Sequence, residues 1–292
     1  MTEPLTALRP GPTPTRRVDG VRRALRWLLA RPGLALSIVA VLVVIGWTLA
    51  PGAAAAQDPL TGVAAQRLQP PSPQHWFGTD NLGRDVFARV VHGARNSLAA
   101  VALAIAISFV GAAAVGLLSG FVGGALDSSL MRVVDVMLSV PGLLIALMLI
   151  TALGAGTTNV AIAVGIGSIA ALSRVMRAEV LRVRQSVYVE ASRGAGSRWW
   201  TTVLRHVLPN SIGPIVVLST LEFGGVILAI SGLSFLGFGA SPPTPEWGSM
   251  VADGRSYLVS APWMTAAPAL VIVVLVLATN RIARALDGER RR

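Results

Sequence analysis

Few residues in this chain of 292 are equipped for covalent chemistry. It contains no Cys and no Lys, and His75, His92 and His206 are too scattered to suggest a metal centre. That removes thiolate nucleophiles, disulfides and Cys/His metal sites, and it removes the Lys that a phosphate-binding GxxxxGK[ST] loop requires. Any nucleotide hydrolysis that powers this chain therefore belongs to another polypeptide. Two places remain where residue type and spacing point to binding or mechanical work. The first is Glu190-Ala191-Ser192, with Gly196 six residues after the Glu and Leu208-Pro209 twelve after the Gly. Gly196 permits a sharp backbone bend, and Pro209 suits the first turn of a following helix, where no N–H donor is needed. Small Ala191 and Ser192 leave room for another surface to approach. The spacing predicts two short helices meeting at a turn, although the residues alone also fit an Arg-rich helical loop resting on lipid headgroups. The second place is Glu222, the only carboxylate well inside a long apolar stretch. An ionised group there is costly unless it faces water or a partner. It is either such a functional group or a protonated, hydrogen-bonded packing residue.

The elements that position these residues belong to a membrane protein. Hydrophobic residues make up 53% and charged residues only 13%, where a soluble domain carries about 25% charged residues. Mean hydropathy is +0.65. No charge falls between Asp135 and Arg174, enough for two spans of roughly 20 residues each. The net charge of +11 is carried entirely by Arg, concentrated at Arg9–Arg31, Arg174–Arg205 and Arg281–Arg292. These segments fall on one side once spans are drawn, so the charge reads as cytoplasmic orientation and attraction to anionic lipid. No basic groove with interleaved aromatics is present outside the predicted loops, which argues against a nucleic-acid partner.

Apolar runs predict six spans: residues 34–50, 97–120, 133–153, 160–174, 209–238 and 264–279. The fourth is expected to continue as helix into the cytoplasm, and Pro141 to kink the third. The first span, with its Arg-rich flank and Ala53-Ala54-Ala55-Ala56 after it, imitates a secretory signal with a cleavage site before Gln57. The preceding tail is long for such a signal, so a retained anchor is expected. Leu82, Val86 and Val90 recur every four residues, predicting an amphipathic helix in the membrane interface, capped by Thr79 or Asp80. Ala100, Ala104, Ser108, Ala112, Gly116 and Gly120 form a small-residue ridge, read either as a helix-packing face or as chance in an Ala-rich segment. The resulting organisation is all-α and polytopic. It comprises a cytoplasmic tail (1–33), a first anchor (34–50) and an extracytoplasmic segment with the interfacial helix (51–96). A five-helix core (97–285) with a cytoplasmic loop (175–208) and a second tail (286–292) follow. Both termini are cytoplasmic.

The Glu190-Ala191-Ser192-x3-Gly196-x11-Leu208-Pro209 pattern resembles the Glu-Ala-Ala-x3-Gly-x11-Leu-Pro signature of ABC importer permeases, with Ser192 in place of the second Ala. His75-x-Phe77-Gly78-Thr79-Asp80-x2-Gly83-Arg84-Asp85 and Gly93-x-Arg95-x-Ser97-Leu98 are similar to the segment before span two in the dipeptide/oligopeptide/nickel branch. So are Gly232-Leu233-Ser234-Phe235-Leu236-Gly237-Phe238-Gly239, Pro242-Pro243-Thr244-Pro245-x-Trp247-Gly248 and Ala252-Asp253-Gly254-Arg255. These matches cover about residues 74–287 and identify the C-type permease subunit of that branch. The resemblance implies the type I ABC importer permease fold and a cell-membrane location. It also implies a second homologous permease, two ATPase subunits and an extracytoplasmic substrate-binding protein as partners. ATP and Mg²⁺ would be held by the ATPase, with no cofactor in this chain. Glu190, Ala191, Ser192, Gly196, Leu208 and Pro209 would then form the ATPase-coupling segment, and Asp80, Gly83, Arg84 and Asp85 a family structural motif. From its own position in an apolar stretch, and not from the resemblance, Glu222 is expected to face the pathway and contact a cationic group such as a peptide amino terminus.

Two departures stand out. The Asn280–Asp287 stretch is shorter than the family's ending, which puts a tail contact with the ATPase in doubt, and Ile230 occupies a place where many relatives carry a carboxylate. An ion-coupled secondary transporter would need midplane ion sites and often an internal repeat. One Glu and no evident repeat argue against it. A membrane-embedded enzyme lacks a plausible constellation. Dipeptides, oligopeptides, glutathione and nickel remain open as substrates.

Overall fold

A computed structural model describes residues 31–290; the expected N-terminal tail up to residue 30 and the last two residues lie outside them. Helix α1 (Pro32–Leu49) is apolar on all sides and starts with Pro in its first turn, where the missing N–H costs nothing. An irregular segment leads to α2 (Val86–Val122), 37 residues long. The expected interfacial helix is not a separate element. Residues 80–84 form a tight turn in which the Asp80 carboxylate accepts from the N–H groups of Leu82 (2.8 Å) and Arg84 (2.9 Å). Gly83 completes that turn at φ +75°. Asp85, not Thr79 or Asp80, caps the helix by accepting from Ala88 N–H at 2.7 Å. The four-residue period at Val86 and Val90 is protein core, since both are buried.

Gly123 and Gly124, both at positive φ, reverse the chain into α3 (Gly124–Ser139), which is followed by α4 (Gly142–Leu153). Pro141 was expected to kink one span; it breaks it, and the two helices meet at 96°. Pro141 offers no N–H to continue the ladder and forces Val140 into extended geometry (φ −106°, ψ 133°). Helix α5 (Thr157–Arg184) continues well past the expected span end at Arg174 and leads into short α6 (Val187–Gly194). A helical run from Trp199 to Phe238 contains α7 (Leu208–Leu233). Pro209 stands in the first turn of α7, as expected, and that turn follows a π-helical turn at Val203–Val207. The wider turn relieves the clash of a Pro ring with the preceding turn. Asn210 Nδ2 donates to the carbonyl of His206 at 2.7 Å. Helices α8 (Trp247–Gly254) and α9 (Trp263–Arg290) complete the chain. Among the described residues five helices are long and apolar enough to cross a membrane, and a sixth if α3 and α4 together count as one span.

The core lies where α2, α5, α7 and α9 pack, around residues such as Val101, Val164, Ile227 and Leu275. The small-residue ridge of α2 is a packing face: all six residues are buried. A Cβ on Gly120 would stand 2.7 Å from Val180, and one on Gly165 of α5 would stand 2.8 Å from the Ala104 carbonyl oxygen. In lipid, where water exclusion does not drive helices together, this close backbone approach supplies the dispersion contacts that do.

Candidate functional sites

Helix α6 ends in a Schellman motif. Gly196 N–H donates to the Arg193 carbonyl (3.0 Å) and Ser197 N–H to the Ser192 carbonyl (3.2 Å). This pattern places Gly196 in the left-handed region at φ +74°, a conformation costly for residues with a Cβ. The expected bend is therefore present at the expected glycine. Val189 anchors α6, fully buried against Val183, Val203 and Val207, while Glu190 and Ala191 face outward. Glu190 stands in the first turn, where a carboxylate interacts favourably with the helix dipole. Ser192 does more than leave space: its hydroxyl is 3.2 Å from that of Thr202, tying α6 to the next turn. Leu208 packs half-buried on the same cluster and Pro209 is exposed. The Arg193 guanidinium sits 4.5 Å from the Phe121 ring centre, fastening the segment to the end of α2. Sequence reasoning passed over the apolar residues beside α6. Val187, Tyr188, Trp199, Trp200 and Leu204 are all exposed, and two adjacent Trp in an Arg-rich loop were the available signal.

The Asp80–Asp85 motif forms a buried polar knot. Arg84 Nε lies 2.6 Å and Arg89 Nε 3.7 Å from the Asp80 carboxylate, with all three side chains buried. Arg89 also donates to the carbonyls of Pro59 (3.1 Å) and Pro243 (3.3 Å). His75 Nδ1 is 2.7 Å from Asp85, so this His belongs to the knot. Gly83 lies so close to Val63 that a Cβ would overlap that residue's backbone. Glu246 went unnoticed because Glu is an unusual cap. It is fully buried and accepts from Gly248 and Ser249 N–H, both at 2.9 Å, to start α8. Ser97 Oγ accepts from Trp247 N–H at 3.1 Å, and Trp247 Nε1 donates to the Val90 carbonyl at 2.9 Å. This network joins α8 to α2. Among the described residues no group of three or more His, Asp or Glu could hold a metal.

Glu222 lies on α7, half-buried at a cavity of about 220 Å³ walled by α4, α5 and α7. Gly142 and Leu143 of α4, Gly167 and Ser168 of α5, and Gly225 of α7 share that wall. The break at Pro141 is what brings the start of α4 to this position.

Residues 112–292 match the family described as binding-protein-dependent transport system inner membrane component. The chain is 39% identical over 226 residues to the dipeptide transport system permease protein of Alkalihalophilus pseudofirmus, covering 77% of this chain and 73% of that one. It is 41% identical over 220 residues to the glutathione transport system permease protein of Pectobacterium atrosepticum, covering 75% and 72%. Against the probable D,D-dipeptide transport system permease protein of Escherichia coli K12 it is 36% identical over 292 residues, covering 99% and 95%. In fold it is similar to the MetNI methionine ABC transporter in inward-facing form, with TM-score 0.51 and 17% identity over 68% of this chain and 95% of that one. An amino acid ABC transporter crystallised with histidines gives TM-score 0.52 and 18% identity, covering 70% and 94%. With its helices arranged as in ABC importer permeases, the chain belongs to the family of binding-protein-dependent transport system inner membrane components, as a multi-pass transport permease and not an enzyme.

Proposed function

We propose that this chain imports peptides as one of two permeases, with a homologous second permease, two ATPase subunits and an extracytoplasmic substrate-binding protein. ATP and Mg²⁺ bind the ATPase subunits, and this chain holds no cofactor. The termini and the 175–208 loop are cytoplasmic, residues 51–85 are extracytoplasmic, and the transport core runs from α2 through α9. The observation that carries the reading is α6. It is a short helix ended by a fixed turn, outward-facing at Glu190 and Ala191, with exposed aromatics beside it and its inner face locked to α5 through Val189. A partner that pushes on such a knob moves α5 with it. Closure of the ATPase dimer draws the knobs of the two permeases together and turns the shared cavity outward; hydrolysis returns it. The Glu222 cavity is this chain's portion of the substrate path, and the peptide reading draws support from the dipeptide and glutathione relatives.

The test is Gly196→Pro in the reconstituted complex. Pro fixes φ near about −65° and removes the N–H that reaches Arg193. Membrane insertion should survive, while binding-protein-stimulated ATP hydrolysis drops at least about tenfold. Undiminished stimulation would show that α6 is not the coupling element.

A further inference from the structure

We infer that the Glu222 cavity is a subsite for the primary ammonium group of the transported peptide, an inference that rests on the import reading above. Glu222 is a carboxylate midway along a helical run that crosses the membrane, 23 residues after Trp199 and 16 before Phe238. It has no hydrogen-bond or ion-pair partner among the described residues, and neither does Ser168 Oγ on the facing helix. No Arg lines the cavity. Arg174 follows Ser168 on α5 by six residues, about 9 Å along the axis, and is held by Asp135 at 2.6 Å. An ionised carboxylate shielded from bulk water is stable only with a cationic or multiply donating companion. The described residues provide none, so water holds that place until a cationic ligand displaces it.

The shape of the site narrows the choice. The cavity's roughly 220 Å³ is several times the volume share of one water, about 30 Å³, so it admits the first residue of a peptide. Glycines keep its floor bare: a Cβ on Gly225 would stand 4.0 Å from Glu222 Oε2, and a Cβ on Gly142 would meet nothing within 4 Å. A ligand can therefore lie directly beside the carboxylate. One carboxylate and one hydroxyl are too few for a dehydrated metal ion, which takes six or more oxygen ligands if it is calcium and near-octahedral geometry if it is magnesium. They suit an –NH₃⁺ group, a compact donor of three hydrogen bonds. Every peptide with a free amino terminus carries that group whatever its side chains, except one that begins with Pro, whose terminal nitrogen is a secondary ammonium. The permease would thus select for a free amino terminus after the binding protein has delivered its load.

The experiment uses the assembled transporter in proteoliposomes with trialanine and N-acetyl-trialanine as probes. Wild type should take up trialanine in a binding-protein-dependent manner; absence of that uptake would sink the import reading itself. Glu222→Gln, isosteric but uncharged, should lower initial trialanine uptake about tenfold, with Glu222→Asp recovering part of the loss and Ser168→Ala losing about threefold. If the Gln variant assembles and transports trialanine as wild type does, the subsite is wrong. A second measurement covers a Gln variant that fails to assemble. This chain has no Cys, so Gly225→Cys can be labelled in a complex whose other subunits are also cysteine-free. A cationic methanethiosulfonate should react about tenfold faster than an anionic one, and trialanine, but not its N-acetyl form, should protect. Equal rates for the two reagents, or equal protection by the two peptides, would overturn the inference.

Discussion

At the residue scale, a few side chains hold whole segments through main-chain groups. Glu246 accepts from two N–H groups at the start of α8 in a fully buried position. Its replacement by Ala leaves buried donors without partners, at about 1–3 kcal/mol. A thermal unfolding midpoint in detergent several degrees below wild type is expected, with Glu246→Gln intermediate because it keeps one acceptor. An unshifted midpoint for the Ala variant would mean that water substitutes for the carboxylate. Gly83 and Gly196 are required for a different reason. Each has positive φ, and at Gly83 a Cβ would also strike the Val63 backbone. Gly196 has open space around it, so Gly196→Ala should cost only the conformational penalty, about 1 kcal/mol. Gly83→Ala should cost more, and paired unfolding curves separate the two.

At the element scale, α2 and α5 are joined by small residues and α3 is joined to α5 by charge. Gly165→Leu would drive a side chain into the Ala104 carbonyl region of α2. Overpacking of this kind costs about 1–3 kcal/mol, and the yield of folded protein after detergent extraction should fall accordingly. Helix α3 buries only Val134. It is fastened to α5 by Asp127–Arg177 (2.6 Å), to which Ser119 adds a hydrogen bond, and by Asp135–Arg174 (2.6 Å). The second pair is more than half exposed at both ends and is worth little. The first is less exposed, at 33% and 19%, and shares its carboxylate with Ser119. A double-mutant cycle of Asp127→Asn and Arg177→Ala should give a coupling of up to about 1 kcal/mol, and the same cycle at 135 and 174 should give nearly none. Because α5 carries α6 and α3 leads into α4, the Arg177–Asp127 pair ties the helix that bears the coupling segment to the helix pair that ends at the Glu222 cavity. Arg177→Ala should therefore also weaken the link between ATP hydrolysis and uptake, read as more ATP consumed per trialanine moved.

At the scale of the whole molecule, two regions of the helix bundle are held differently. One is stitched by Asp80, which pairs with Arg84 and Arg89, by Arg89, which reaches the Pro243 carbonyl, and by Glu246 and Trp247, which join α8 to α2 through Ser97 and Val90. The other carries α3 and α6, both largely exposed in the single chain. On the orientation proposed above, that distribution suits a permease whose moving parts are driven from the cytoplasm while its outer rim keeps its shape.

What the sequence alone determined is whatever depends on composition and short-range pattern. Apolar runs gave the spans, because only a helix satisfies its own backbone in lipid. The absence of Lys assigned ATP chemistry elsewhere. The Glu190-to-Gly196 spacing gave a helix ending in a glycine turn, because a Schellman motif is closed by residues adjacent in sequence. Tertiary structure decided the rest. A four-residue period reads the same whether it faces headgroups or protein, so only packing showed that Val86 and Val90 are core. Pro141 can kink or break a helix, and its neighbours set the 96° that places Gly142 at the cavity. Glu246 caps α8 through neighbours in sequence, but its link to α2 is made by Ser97, 149 residues away, whose hydroxyl donates to it at 3.4 Å. Glu222 was visible as an anomaly from the start, but its cavity is formed by three helices whose contacts no local pattern encodes.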